Sequence, residues 1–329
     1  VTSSQPRTPP RPRVALDTQG KLHLLNSWFA EKYQLEYSDL RYDASVSMGH
    51  GSFGSVRTAT LRFCKTDVAV KLIKYTPRAY GSLYHFHRAV AREYDILQLS
   101  SDAPYVVPLV GVCFKTLDQA VLVMEKYDCQ LGDYLRTNVK LNRWSVARQL
   151  VNIYRYLHYS LKVVHNDIKM DNLLVKCDSG RLGLVDFGLS GNLMKGDIFQ
   201  EVSSGYRRSR TTGALVRWTP RHYWSNSKCQ TCHQDKSVDL FAIAYVLLSV
   251  VCGMEGCPVV QKAKEQKIVD RHACVMFYGE RYSDFIAIIH NIIERELELP
   301  NDIAGDRAFD RYLKALDSSI DRIYPTYDC

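Results

Sequence analysis

The stretch VVHNDIKMDNLLV, residues 163–175, decides how this chain is read. It sets His165, Asp167, Lys169 and Asn172 in the spacing H-x-D-x-K-x-x-N, with apolar residues on either side. Fourteen residues after Asn172, LGLVDFGLS (182–190) brings Asp186, Phe187 and Gly188 in succession.

Working toward the N-terminus, MGHGSFGSV (48–56) holds Gly49, Gly51 and Gly54 in the spacing G-x-G-x-x-G. That pattern is weak alone, because dinucleotide-binding folds share it. Its neighbours decide. ASVSMGH leads in and GSVRTATL leads out, and both are β-like. Strand, glycines, strand is a hairpin, whereas a dinucleotide site runs strand, glycines, helix. Lys71 in VAVK follows on a strand whose neighbours Val68, Val70, Leu72 and Ile73 are apolar. A buried ammonium needs an acid or a phosphate to compensate it. Glu93, on the helical stretch HRAVAREYDILQLS (87–100), is one candidate acid. A snorkelling lysine with a solvent-facing glutamate is the alternative.

Two apolar strands follow, YVVPLVGVCF and QAVLVMEKY, and after Tyr127 the pattern becomes mainly helical through WSVARQLVNIYRYLHYSL. This divides the chain into a Pro-rich basic tail at 1–20, a mostly β part at 21–127 and a mostly α part at 128–329. The tail is expected to be disordered, and no secretory leader is visible in VTSSQPRTPPRPR. The 329 residues suffice for two lobes with a substantial core. The apolar run Leu240–Met254 is too short to span a bilayer comfortably and reads as a core helix, so no membrane association is expected. Ten scattered cysteines suit a reducing compartment, giving an intracellular location, cytoplasmic or nuclear. The net charge of +8 favours encounter with acidic partners. No specific nucleic-acid binding is expected.

The glycines, Lys71, Glu93, the 165–172 set and Asp186–Gly188 occur in the order found in the eukaryotic protein-kinase family, which the chain resembles over about residues 45–255. The resemblance implies an α+β bilobal fold. A small antiparallel sheet with one main helix forms the N-lobe, and a larger, mainly helical C-lobe follows. It implies transfer of the γ-phosphoryl group of ATP, with Mg²⁺, to hydroxyls of protein substrates. A lysine two residues after Asp167 resembles Ser/Thr kinases. By the same resemblance, the loop Gly49, His50, Gly51, Ser52, Phe53 and Gly54 covers the phosphates. Val56 and Ala69 enclose the base, Met124 is the gatekeeper, and Glu125 to Tyr127 offer hinge backbone hydrogen bonds. Lys71 holds the α- and β-phosphates, oriented by Glu93. Asp186 and Asn172 bind the metal, Asp167 takes or orients the hydroxyl proton, and Lys169 neutralises the γ-phosphate. Asp239 resembles the aspartate that holds the catalytic-loop backbone, and Leu97 would stack with His165 and Phe187. The rival reading is a pseudokinase scaffold that binds partners, with nucleotide optional; a small-molecule kinase is a third.

Three departures from the family stand out. Asn166 replaces the common arginine that pairs with an activation-loop phosphate, so activity is expected not to need loop phosphorylation. Thr219-Pro220-Arg221 replaces Ala-Pro-Glu, leaving Arg221 to pair with Glu294 or Glu296 or to face substrate. Arg207, Arg208, Arg210 and Arg217 make the activation segment basic, either as a solvated charge run or as an attractant for acidic or phosphorylated substrates. Separately, Cys229, Cys232 and His233 could begin a zinc site, completed by Cys252 or Cys257. Residues 260–329 resemble the family poorly, a character shared with virus-encoded kinases of the herpesvirus type.

Overall fold

The computed structural model describes residues 17–51, 54–137, 142–192, 198–203, 206–209, 215–217, 231–233, 236–252, 280–294 and 303–325. Alternating and β-branched residues from Leu40 to Lys74 form three antiparallel strands, β1 (Leu40–Gly51), β2 (Gly54–Leu61) and β3 (Asp67–Lys74). The last pair of the first hairpin is Gly51 with Gly54, so the glycines join two strands and no helix follows them. β4 (Leu109–Thr116) and β5 (Gln119–Glu125) complete a five-stranded sheet in the order β1-β2-β3-β5-β4.

The outer edge of β4 is covered. Helix α1 (Thr18–Asn26) ends at Asn26, whose Oδ1 accepts the N–H of Phe114 at 2.7 Å. The N–H of Leu35 donates to the carbonyl of Val112 at 3.2 Å. An open edge strand is a template for unwanted pairing, and these contacts remove it. Residues 18–20, grouped with the tail in the sequence reading, are the first turn of α1, capped by Asp17 accepting from the N–H of Gly20.

A single turn, α2 (Pro77–Tyr80), precedes the main helix of this lobe, α3 (Leu83–Leu99). The buried stripe of α3 is Phe86, Val90, Glu93, Tyr94 and Leu97, at three- and four-residue intervals. Glu93 therefore occupies a core position.

Past Glu125 come β6 (Cys129–Gln130), α4 (Leu131–Thr137) and α5 (Arg143–Arg155). The helix expected to run through Leu161 changes at Tyr156 into one π-helical turn, Tyr156–Leu161. Lys162, at φ +56°, stops it and turns the chain into β7 (Val163–Val164). β8 (Leu173–Lys176) and β9 (Arg181–Leu184) join β6 in one small sheet, and β10 (Gly191–Asn192) pairs with β7. Helix α6 (Lys236–Cys252) is buried on all sides from Asp239 to Val251, which makes it the central core helix. α7 (Ser283–Glu294) packs on α6, and α8 (Ile303–Ile323) packs on α5 and α7. Between β10 and α6 in sequence, β11 (Ile198–Ser203), β12 (Tyr206–Ser209), β13 (Leu215–Arg217) and β14 (Thr231–His233) form a sheet in the order β13-β12-β11-β14.

The architecture is the α+β, two-lobed one: a five-stranded antiparallel sheet with one main helix, then a mainly helical body. Besides the chain itself, a backbone seam joins the lobes. The N–H of Val107 donates to the carbonyl of Leu184 at 3.1 Å, and that of Leu184 to Tyr105 at 2.9 Å. Among the described residues, no helix is long and apolar enough to cross a membrane.

Candidate active site

β3 places Lys71 in the interior, and the buried stripe of α3 brings Glu93 to it. Their atoms Nζ and Oε1 lie 2.5 Å apart, and Lys71 Nζ is also 2.7 Å from Asp186 Oδ1. The lysine does not snorkel: its side chain is 7% exposed and that of Glu93 6%. Burial alone would lower the Lys71 pKa, but the two carboxylates outweigh it and raise it. Burial pushes Glu93 up, against the pull of Lys71. Burial also pushes Asp186 up, yet there Lys71 prevails and holds the carboxyl below its ordinary value. Asp186 is the most open of the three, with 24% of its side chain exposed. With Oδ1 engaged, Oδ2 is the atom it offers to a ligand.

The catalytic-loop residues converge on Asp167. Lys169 Nζ donates to its Oδ2 at 2.8 Å, and the Asn172 amide donates both to Oδ2 at 2.9 Å and to the Asp167 carbonyl at 2.8 Å. The N–H of Asp167 donates to His165 Nδ1 at 3.2 Å. The other ring nitrogen, Nε2, therefore carries the proton and donates to the carbonyl of Val185 at 3.0 Å. Burial holds the Asp167 carboxyl above its ordinary value of 3.8, although Lys169 pulls it down. Asp186 adds to that upward push, while Lys169 helps lower Asp186. The Lys71–Asp186 and Asp167–Lys169 clusters thus act within one electrostatic field.

Two backbone devices hold this loop. Asp239, fully buried in the first turn of α6, accepts the N–H of His165 at 2.7 Å and that of Asn166 at 2.9 Å. Its Oδ2 also lies 3.1 Å from Nε2 of buried His158. Asn166 and Asp186 both adopt positive φ, +65° and +69°. Such conformations are uncommon outside glycine and concentrate where function requires them. The Asn166 side chain donates to the carbonyl of Leu189 at 3.0 Å, tying the catalytic loop to the turn after Asp186. Phe187 stacks edge-on against His165 at 4.9 Å and shares a buried core with Leu97.

The hinge is clamped from behind. The N–H of Glu125 donates to the Pro108 carbonyl, and Lys176 Nζ donates to the Lys126 carbonyl at 2.6 Å. Lys176 and Arg181 also reach Glu125 Oε1, at 2.9 and 3.5 Å, and both lie over the Tyr127 ring. Gly183 admits that ring, since a Cβ there would come within 2.8 Å of it. Sequence reasoning missed Lys176 and Arg181: they flank a short turn, and nothing local marks them. Ala69 and Met124 are paired, buried neighbours on β3 and β5, and half-buried Val56 pairs with Lys71. The backbone of Gly49, His50, Gly51 and Gly54 lies in the β1–β2 hairpin. Ser52, Phe53, Arg210, Thr219, Pro220, Arg221, Cys229, Cys257 and Glu296 lie outside the described residues. Among those described, no cluster of three or more His, Cys, Asp or Glu is arranged to hold a metal.

The Asp186–Asn172 pair nevertheless suits Mg²⁺ held together with phosphate. The Asn172 nitrogen is spent on Asp167, which leaves its oxygen to offer, and a carboxylate and an amide oxygen are the hard donors this ion takes.

The protein kinase domain family matches residues 42–300, and the chain belongs to it. The match continues past residue 255, where recognisable motifs stop, to residue 300, and residues 301–329 lie outside it. NUAK family SNF1-like kinase 1 of Mus musculus is 32% identical over 169 residues, 50% of this chain and 24% of the relative. Probable serine/threonine-protein kinase MARK-C of Dictyostelium discoideum is 30% identical over 218 residues, 64% of this chain and 26% of the relative. Serine/threonine-protein kinase SIK2 of Gallus gallus is 28% identical over 216 residues, 64% of this chain and 24% of the relative. The chain thus spans about a quarter of the length of these curated relatives.

Proposed function

We propose that the chain is a Ser/Thr protein kinase using ATP and Mg²⁺. The observation that carries this reading is the meeting of Lys71, Glu93 and Asp186 beside the Asp167–Lys169–Asn172 cluster. Bound MgATP supplies the transferable phosphoryl group and a cation that offsets its charge. Lys71, aligned by Glu93, binds phosphate oxygens. Asp186 and Asn172 would offer oxygen atoms to the metal, and the β1–β2 hairpin would cover the phosphates. Asp167 accepts or orients the proton of the attacking hydroxyl, and Lys169 neutralises charge beside it. Transfer of phosphate from ATP to a generic protein substrate, lost in Lys71→Met and in Asp167→Asn, tests the reading. Equal signals from wild type and variants would leave only a partner-binding scaffold.

The pH dependence follows from Asp167. Its carboxyl must be ionised to take a proton, and burial raises it, so the acid limb of kcat should lie above pH 3.8. Lys169 lowers the Asp167 pKa. Lys169→Met should therefore move that limb to higher pH, while Lys169→Arg should leave it near the wild-type position. A limb indifferent to both variants would remove Asp167 from this role.

Asn166 supports activity independent of loop phosphorylation, because its own amide already ties the catalytic loop to Leu189. Phosphatase-treated protein from bacteria should keep full turnover, and Asn166→Ala should lose much of it. Inactive protein rescued by a loop phosphate would contradict this. The arginines on β12 and β13 favour acidic or phosphorylated protein substrates, and the ten cysteines favour an intracellular setting. A virus-encoded origin rests on the overall character of the sequence.

A further inference from the structure

Cys129 and Cys177 are 48 residues apart in sequence, and their sulfurs are 3.5 Å apart. Strand geometry makes this so. β6 and β8 are antiparallel, with Cys129 opposite Val175. The period of two puts Cys177, two residues beyond Val175, on the same face as Cys129 and diagonal to it. Asp128 fixes the register: its N–H donates to the Val175 carbonyl at 3.0 Å, and its carboxylate accepts the N–H of Cys177 at 2.6 Å. Cys177 is exposed and Cys129 half-buried.

We propose that Cys129 and Cys177 form a peroxide-sensitive dithiol that closes to a disulfide, stapling the strand after the hinge to the C-lobe sheet. Burial and the neighbouring sulfur push the Cys129 thiol up to about 12, so it stays protonated at neutral pH. The first attack falls to the exposed Cys177. Its thiolate takes the terminal oxygen of hydrogen peroxide, the O–O bond breaks, and hydroxide leaves as water once protonated. The sulfur of Cys129 then attacks the Cys177 sulfenic acid, the S–S bond forms, and the sulfenic oxygen leaves as a second water with the Cys129 proton. Two thiols lose two hydrogens in total, and one peroxide is reduced. The sulfurs must approach from 3.5 Å to about 2.05 Å for the bond to form. The staple lies directly beside Lys176, whose ammonium holds the Lys126 carbonyl, so oxidation stiffens the hinge clamp.

The test needs no kinase activity, so it stands apart from the proposed reaction. Cleavage after Lys126, Arg136, Lys176 and Arg181 leaves each cysteine alone on its own tryptic peptide, 127–136 and 177–181. Full-length protein treated with hydrogen peroxide and digested without reductant should yield these two peptides linked. The link should vanish with dithiothreitol and in either Cys129→Ser or Cys177→Ser. The melting midpoint of the oxidised protein should rise by about 3–6 °C over both variants treated alike. Cys177 recovered as sulfinic acid with Cys129 free, no reaction at either cysteine, or either one linked to a third cysteine would overturn the proposal. A linked pair with an unmoved midpoint would overturn the staple.

Discussion

Turnover is expected to fall by about a hundred- to ten-thousand-fold when Asp167 is replaced by Asn. The melting midpoint should hardly move. Asparagine has the same shape and keeps an oxygen that can accept from Lys169 and Asn172, which now bond Oδ2 at 2.8 and 2.9 Å. The Asp167 N–H, bonded to His165 Nδ1, is untouched. Loss of the charge strands no deeply buried cation, because the Lys169 side chain is 25% exposed and can turn to water. What disappears is the ability to take a proton. Initial rates of phosphate incorporation at saturating ATP, with nucleotide affinity measured separately, distinguish a chemical defect from a binding one. A variant retaining more than about a tenth of wild-type kcat would exclude Asp167 as the base.

Asp239→Ala is expected to destabilise the fold by about 3–5 kcal/mol, the scale for removing one partner of a buried polar network. The carboxylate is fully buried and accepts two backbone N–H groups, with His158 beside it. Alanine leaves those N–H groups dry and unpaired, at about 1–3 kcal/mol each. Such a loss is a large part of the roughly 5–15 kcal/mol that holds a domain together. The same N–H groups belong to His165 and Asn166, so the loop presenting Asp167 should loosen before the protein melts. Urea unfolding measures the stability, and hydrogen exchange at residues 165–167 measures the loop. Asp239→Asn, which keeps one acceptor oxygen, should fall between. A loss under about 1 kcal/mol with unchanged exchange would reduce Asp239 to a helix cap.

Much of this was legible in the sequence because local rules and distant motifs agreed. Alternation around the glycines required a hairpin, and the structure has one. The apolar surroundings of Lys71 required a compensating charge, and Glu93 lies on the buried stripe of the next helix. The sequence left the choice between a pair and a snorkelling lysine open, because an isolated strand and helix do not say how they pack. The second carboxylate on Lys71, Asp186, comes from 115 residues away, and only a motif hinted at it. The helical stretch through Leu161 was legible, but its last turn, which is π-helical, was not, since nothing in YLHYSL marks a wider turn that Lys162 then closes. Lys176, Arg181 and the two thiols were invisible for a common reason: each acts across strand pairings whose register lies in backbone geometry. Helix α1 also escaped notice, because its first turn has the polar look of the segment before it.

The seam between Tyr105–Val107 and Leu184 sets how the cleft can breathe. Asp186 follows Leu184 by two residues, so this acid hangs from the segment that climbs into β4 as well as from the lower body. When the halves rock, Asp186 should ride with the sheet that carries its lysine. Opening should then separate Lys71 from Asp167 more readily than from Asp186, so that the charged trio of Lys71, Glu93 and Asp186 would move as one piece.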